Sequence, residues 1–481
     1  MSSVDLLSLL PFIVLVSWAC LLLLVDLFIP RERKGWTALL AATGLVAALG
    51  ASIPQIGKQT AAFNGMVVQD GFSTFISILL LASGLVGVAL AYDYLKRMQI
   101  ERGEYYVLML FAISGMMLMA TAADLIMVFL ALELLSIPLY VLAGFARPRP
   151  DSEEAALKYF LLGAFSAGFM VYGIALVFGA TGTTALDGVV QSTASGAANL
   201  TLLSVGAGLI LIGLGFKVAA VPFHMWTPDV YQGAPSAVTA FMSVGAKIGG
   251  FAALLRVFVL AFPSLSADLT PIFWVMAALT MALGNLLAVA QTNIKRMLAY
   301  SSIAHAGYIL MALVPFGQKD VIAGAVASAL FYLLAYAFTN FGAWAVVIAL
   351  EKAEGKGLEL DDYAGLGSKY PALAAAMAIF MLSFTGVPPT LGFLGKFFLF
   401  SEVLKGGFVG LAIIGVLTSL ISAYYYLRVV VVMYMRDGEP VARRETWLYA
   451  TTALAAVGTV VLSLYSEPLF TWASQAVLSL F

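Results

Sequence analysis

The chain has 481 residues, of which 62% are hydrophobic and only 11% are charged, and its formal net charge is −1. Soluble globular proteins carry about 45–50% apolar and about 25% charged residues, so this composition excludes a soluble fold and predicts a multi-pass membrane protein. One cysteine, Cys20, and two histidines exclude an internal disulfide, a Cys-ligated iron–sulfur cluster and a structural zinc site. No Rossmann or P-loop motif is present either, so we expect no cofactor and no metal in this chain.

Apolar runs of about 20 residues between polar breaks predict an all-α fold of fourteen transmembrane helices. The first run is interpreted as a membrane helix because it is long enough to span and lacks the basic start of a signal peptide. In chain order, the predicted helices are 6–29, 36–56, 71–92, 105–121, 124–146, 152–180, 199–222, 234–262, 271–291, 297–315, 321–350, 370–405, 408–435 and 446–466.

Basic residues are distributed unequally between alternate loops. One set of loops holds sixteen lysines and arginines, whereas the opposite set holds three, namely Lys58, Lys319 and Lys405. Cytoplasmic loops are enriched in lysine and arginine, and a miscounted helix would scramble the asymmetry. The pattern therefore supports fourteen helices and places both termini on the outer side, with the bacterial cytoplasm or an organelle's equivalent compartment on the inner side.

Six basic residues remain inside the predicted helices: Lys158, Lys217, Lys247, Arg256, Lys396 and Arg428. The two arginines lie near helix ends, where a long side chain can reach the membrane interface, so we interpret them as interfacial. Lys158 fits either the interface or a channel.

Glu133 lies about 13 Å into its helix, near the middle of a hydrocarbon core about 30 Å thick. It is too short to reach the interface. Charged groups at that depth are costly and mark ion pathways, so Glu133, Lys217, Lys247 and Lys396 are the predicted proton-transfer residues. Protons fit better than sodium because lysines repel cations but exchange protons.

Prolines interrupt two of the predicted helices. In GFKVAAVPFHMW, residues 215–226, Pro222 cannot donate a hydrogen bond to the carbonyl of Val218, which lies beside Lys217. In SFTGVPPTLGFLGKF, residues 383–397, Pro388 and Pro389 break a run that is too long for one straight span. Broken helices at membrane depth are tolerated where protein or water satisfies the released groups, so each break predicts a polar gap in the bundle.

The two breaks also indicate an internal repeat. The Val-Pro pairs at 221–222 and 387–388 are 166 residues apart, and predicted helices 4 and 9 begin with the same offset. Helices 4–8 and 9–13 are two groups of five, so the second group is expected to be inverted, as in many transporters. The predicted divisions are 1–104 with helices 1–3, 105–262 with the first repeat, 271–437 with the second repeat, and 446–481 with helix 14.

Both histidines are candidate accessory residues. His305 lies in AYSSIAHAGY, residues 299–308, where the serines indicate a polar path, although a hydrogen-bonded core histidine is the alternative. His224 follows the first break and could relay protons.

Three segments carry a family resemblance: KVAAVPFHMWTPDVYQGAPSAVTAFMSVGAK (217–247), KRMLAYSSIAHAGY (295–308) and GVPPTLGFLGKF (386–397). They resemble the antiporter-like membrane subunits of respiratory complex I, the proton-pumping NADH:quinone oxidoreductase, and more distantly the multisubunit cation/proton antiporters. The segment WTPDVYQGAP and the lysine at position 396 most resemble the corresponding sequence of the N-type subunits. The resemblance covers nearly the whole chain.

The resemblance implies a fold with helices 7 and 12 broken and with helices 4–8 and 9–13 as inverted repeats. It implies that Glu133 pairs with Lys217, that Lys247 links two half-channels, and that Lys396 is the terminal lysine toward the outer side. Lys158 and His224 would be accessory. NADH, FMN, iron–sulfur clusters and quinone would bind in other subunits, and the partners would be neighbouring membrane-arm subunits and, indirectly, the peripheral redox arm.

Three alternatives stay open at this point. The first is a subunit of a sodium/proton antiporter without a redox partner. The second is a scaffold that only holds a membrane arm together, although such a protein has no use for charges at the midplane. The third is a cyanobacterial or chloroplast variant that takes electrons from ferredoxin.

Overall fold

The computed structural model describes residues 3–352 and 355–476, and the fold is almost entirely helical. Residues 1–2 and 477–481, the ends of the predicted divisions 1–104 and 446–481, lie outside the described residues. The helices are α1 Ser3–Ser8, α2 Leu10–Asp26, α3 Gly35–Ser52, α4 Gly71–Arg97, α5 Glu104–Thr121, α6 Leu125–Ala143, α7 Pro150–Thr181, α8 Leu186–Ala194, α9 Leu200–Val218, α10 Trp226–Gly233, α11 Ser236–Ala261, α12 Ser266–Val289, α13 Ile294–Leu310, α14 Lys319–Leu350, α15 Leu366–Lys369, α16 Pro371–Thr385, α17 Leu391–Lys405, α18 Val409–Met435, α19 Thr446–Leu464 and α20 Ser466–Gln475. Two short strands, β1 Thr60–Ala62 and β2 Val67–Gln69, pair antiparallel.

Eleven helices in the described part of the chain are long and apolar enough to cross a membrane, which confirms a multi-pass membrane protein. The other three predicted spans correspond to α2, to α13 and to the consecutive pair α16 and α17, which are shorter helices. The count of fourteen therefore stays a prediction. The β1–β2 hairpin, α8, α10, α15 and the amphipathic α20 were not predicted.

Both predicted helix breaks are present. The first lies between α9 and α10, where α9 ends at Val218 and Ala219 adopts a left-handed conformation with φ of 62°. The second lies between α16 and α17, where Gly386 has φ of 93°, a conformation that glycine adopts without steric cost. Thr390 then caps α17 by accepting a hydrogen bond from the backbone of Phe393.

Helix α11 forms the centre of the bundle, since every one of its residues from Ser236 to Ala261 is buried. Small residues allow this close packing: a side chain at Gly249 would approach the Met116 side chain to 3.1 Å. Lys247 is therefore held inside protein on all sides and not exposed to lipid.

The interfacial interpretation of Arg256 is wrong. Its side chain is 1% exposed and donates two hydrogen bonds to the buried carboxylate of Asp70, at 2.8 and 2.9 Å. Arg428 does not extend freely to an interface either, because its guanidinium donates to the carbonyls of Val289 and Gln291 at the end of α12. Each arginine donates to groups far away in sequence, which sequence position alone cannot reveal, while its Nε has no hydrogen-bond partner among the described residues.

Candidate functional site

Lys217 lies in the last turn of α9, directly before the first break, and its side chain is 2% exposed. The ammonium donates hydrogen bonds to Oγ of Ser136 at 2.8 Å and to the hydroxyl of Tyr159 at 3.1 Å. Its Nζ also lies 5.2 Å from the centre of the Tyr159 ring. Hydroxyl and aromatic groups therefore hold this lysine.

Glu133 is half-buried on α6, three residues before Ser136, so the two side chains lie on the same face of the helix. Its charge acts on Lys217. Among the ion pairs of the described residues, however, a direct Glu133–Lys217 contact does not occur. In this structure the hydroxyl of Ser136 takes the position next to the ammonium that the resemblance assigns to the carboxylate.

Lys247 satisfies the carbonyl that the first break releases. Its Nζ donates to the carbonyl of Val218 at 3.3 Å and to that of Ser302 at 2.5 Å. Val218 is the residue whose carbonyl Pro222 cannot pair within a helix. On the other side of the break, the backbone N–H of Val221 donates to the Thr280 hydroxyl at 2.9 Å. The polar gap predicted at Pro222 thus contains a second lysine, from the central helix.

Lys396 has the same role at the second break. Pro388 and Pro389 release the carbonyls of Phe384 and Thr385, four residues earlier, and the Lys396 ammonium donates to both at 2.9 Å. Its third hydrogen bond, at 2.7 Å, goes to Oγ of Ser419 on α18.

His305 lies between these lysines in the second half of the bundle. Its Nδ1 lies 2.6 Å from the hydroxyl of Tyr332 and its Nε2 lies 3.2 Å from that of Tyr426. Both Lys247 and Lys396 are within electrostatic range of the ring. Two buried tyrosines therefore hold a group with two exchangeable ring nitrogens in the vicinity of both lysines.

The remaining two candidates lie further from the buried lysines. Lys158 is about two-fifths exposed and forms ion pairs at 2.7 Å with Glu154 and Asp229. Arg296 contacts Asp229 at 2.8 Å as well. Burial raises the pKa of Asp229, but the hydrogen bonds from Lys158 and Arg296 outweigh burial and lower it below its ordinary value. Lys158 thus belongs to a half-exposed ionic cluster, whereas its neighbour Tyr159 reaches Lys217.

His224 is half-buried in the first break, and its Nδ1 is buried without a hydrogen-bond partner among the described residues. Within the same part of the chain, no group of three or more His, Cys, Asp or Glu side chains could hold a metal ion. The polar residues that sequence reasoning missed are Ser136, Tyr159, Tyr332, Ser419 and Tyr426. The sequence offered a signal for only two of them: Ser136 is three residues after Glu133, and Tyr159 is next to Lys158.

An all-helical membrane bundle with two proline-interrupted helices, each satisfied by a buried lysine, defines the class of antiporter-like membrane subunits. The comparisons with known proteins agree. The family described as "NADH:quinone oxidoreductase/Mrp antiporter, TM" matches residues 122–422, a range that contains every candidate residue above.

Relatives match almost the whole chain. NADH-quinone oxidoreductase subunit N of Chloroflexus aggregans is 50% identical over 97% of this chain and 96% of its own length. A chain of respiratory complex I from Thermus thermophilus with bound aureothin is 36% identical, with a TM-score of 0.83 over 96% of this chain and 99% of that chain. A chain of the Mrp complex from Dietzia has the same fold, with a TM-score of 0.85 over 99% and 97% of the two chains, at 22% identity. This protein therefore belongs to the NADH:quinone oxidoreductase/Mrp antiporter family, and within it to the N subunits of NADH-quinone oxidoreductase.

Proposed function

We propose that this chain translocates protons as the N-type membrane subunit of an NADH:quinone oxidoreductase. Electron transfer from NADH through FMN and iron–sulfur clusters to quinone takes place in other subunits and drives proton movement here. The partners are the neighbouring antiporter-like and small subunits of the membrane arm, and the peripheral redox arm acts indirectly. The protein lies in the bacterial inner membrane with both termini on the outer side.

One observation carries the proposal: the partners of Lys217, Lys247 and Lys396 are carbonyl and hydroxyl oxygens. In the described part of the chain, no carboxylate forms an ion pair with Lys217, Lys247 or Lys396. A carboxylate partner would hold each lysine in its charged form. Hydroxyl groups both accept and donate hydrogen bonds, so they can form a hydrogen bond with a lysine in its ammonium form and in its neutral amine form.

The order of the residues defines a path. Glu133 and Lys217 lie at the first break, Lys247 connects that break to α13 through the carbonyl of Ser302, and His305 with its tyrosines leads toward Lys396 at the second break. Each lysine gains a proton as an amine and passes it on as an ammonium. A proton needs such protonatable groups to cross the protein interior, because an unpaired charge in hydrocarbon is costly.

The test is NADH-driven proton uptake by inverted membrane vesicles that carry the assembled complex with Lys247→Ala. We expect uptake to fall at least tenfold relative to the wild type. The control is Lys58→Ala, which removes an exposed lysine far from the path and is expected to pump normally. Normal uptake in Lys247→Ala would overturn the path. Uptake that requires sodium and not NADH would instead identify an antiporter.

A further inference from the structure

The buried carboxylate of Glu351 lies at one end of the bundle, where most of the loop arginines and lysines are located. We call this end the basic face and define it by Arg97, Lys295 and Arg443. Helix α14 ends there, and Glu351 follows it with only 2% of its surface exposed. Arg97 donates to the carbonyl of Ile348 at 2.7 Å, and the backbone of Arg443 donates to that of Ala349 at 2.8 Å. These contacts fix the backbone that carries Glu351.

The carboxylate of Glu351 is poorly satisfied. Oε1 accepts one long hydrogen bond, 3.4 Å, from the hydroxyl of Tyr94. Oε2 has no hydrogen-bond partner among the described residues, and the same is true of the buried hydroxyl of Tyr363, on which the charge of Glu351 acts. Buried polar atoms normally have partners, so a purely structural role would leave these atoms unexplained.

A buried lysine faces this carboxylate. Lys295 is 2% exposed, donates to the carbonyl of Ala234 at 2.7 Å, and interacts electrostatically with Glu351. The other charged groups that act on Lys295 are Arg149 and Asp151. Both groups lie at the turn that begins α11, since Lys295 donates to the carbonyl of Ala234 and the tyrosine that contacts Glu351 accepts from the backbone of Ser236.

A small cavity of about 150 Å³ lies at the basic face, next to the chain segment that carries Glu351. The residues on either side of Glu351 in the chain, Leu350 and Lys352, line it, together with Asp361, Asp362 and Glu439. Asp361 and Glu439 are paired with Arg436 and Lys369, so the carboxylates make this cavity polar rather than strongly negative.

Two helices lead from this cluster to Lys247. The hydroxyl of Tyr94 accepts a hydrogen bond at 3.0 Å from the backbone of Ser236, the first residue of α11, which carries Lys247 three turns further on. On α13, Lys295 lies two turns before Ser302, hence on the same face. The carbonyl of Ser302 accepts the hydrogen bond from Lys247.

We propose that Glu351, together with Lys295, is a proton-loading site through which the second repeat takes up protons from the basic face. This proposal rests on the proposed function. A hydronium ion in the cavity transfers its proton to the carboxylate of Glu351 and leaves as water. The resulting carboxyl group passes the proton to the neutral amine of Lys295, which restores the carboxylate and forms an ammonium, and the proton then continues toward Ser302 and Lys247.

The experiment compares Glu351→Gln with the wild type in the assembled complex. Glutamine keeps the shape and a carbonyl oxygen for Tyr94 but cannot take up a proton. We expect NADH-driven proton uptake to fall at least fivefold. The control is Glu359→Gln, an exposed glutamate of the same loop whose oxygen accepts a hydrogen bond from Asn293 that glutamine can also accept. This control is expected to pump at the wild-type rate.

A spectroscopic measurement separates proton transfer from a structural effect. Redox-induced infrared difference spectra of the wild-type complex are expected to contain a carbonyl-stretch band of a protonated carboxyl group that is absent in Glu351→Gln. In Tyr94→Phe, which removes the hydroxyl at Oε1, the same band is expected to shift; this variant also decides the matter if Glu351→Gln does not assemble. An unchanged band in these variants, or wild-type uptake in Glu351→Gln, overturns the proposal. Absence of proton uptake in the wild type itself would refute the proposed function instead.

Discussion

The hydroxyl of Ser419 accepts a hydrogen bond from the Lys396 ammonium. Its removal tests whether Lys396 changes its protonation state during proton transfer at the second break. A lysine ammonium has three N–H donors, and the structure supplies three acceptors: the carbonyls of Phe384 and Thr385 and Oγ of Ser419. A neutral amine keeps two donors, enough for the two carbonyls, so it does not need Ser419, whose own hydroxyl donates to the carbonyl of Thr385 at 3.0 Å. In Ser419→Ala both forms keep the carbonyls, but only the ammonium is left with an unsatisfied donor.

The magnitude follows from that count. A hydrogen bond that involves a charged group contributes about 1.5–3 kcal/mol, so the ammonium form of Lys396 loses roughly that much relative to the neutral amine. At about 1.4 kcal/mol per factor of ten, the population of the charged form falls on the order of ten- to a hundredfold. We expect proton uptake to fall by about tenfold while the complex still assembles.

The assay is NADH-driven proton uptake in inverted vesicles, measured together with quinone reductase activity. The matched control is Ser422→Ala, which removes a buried hydroxyl one turn further along α18 that donates to the carbonyl of Ser419 and does not contact the lysine. Equal uptake in Ser419→Ala, Ser422→Ala and the wild type would refute the reasoning.

Two further predictions concern ion pairs. Asp70→Ala leaves Arg256 buried without its partner, which costs about 3–5 kcal/mol, so the melting temperature of the purified complex should fall. Asp70→Ala combined with Arg256→Met should recover part of the loss. An unchanged melting temperature in the single variant would contradict the buried pair. Asp229 has a lowered pKa, so its contribution to stability is present above its ordinary value of 3.8 and is lost as the pH falls through the lowered value. Asp229→Asn should therefore melt earlier than the wild type at pH 7 and converge with it in acid, and a difference that persists in acid would show that charge is not the cause.

Much of the fold was predictable because it depends on local chemistry. Apolar runs located the helices, and the inability of proline to donate a hydrogen bond located both breaks and the released carbonyl of Val218. Counting residues placed Glu133, Lys217, Lys247 and Lys396 within helices, where the structure also has them, while their depth in the membrane stays a prediction. The inverted repeat and the orientation of the termini stay predictions.

The partners of these charges were not predictable, because they come from distant parts of the chain. Lys247 accounts for the carbonyl of Val218 only because α11 crosses the first break, 29 residues later in sequence. Asp70 precedes Arg256 by 186 residues, which explains why position alone suggested an interfacial arginine. Glu351 stands next to Lys352 at a helix end and has the sequence pattern of an ordinary loop charge; only the packing of α4 and α13 shows that it is buried.

The central claim is that Lys217 belongs to a proton path coupled to the redox reaction. The most direct measurement is NADH-driven proton uptake and quinone reductase activity in inverted vesicles carrying Lys217→Ala, after assembly of the complex has been verified. Both activities are expected to fall together. Wild-type levels of both would contradict the claim and would favour a protein that only holds the membrane arm together.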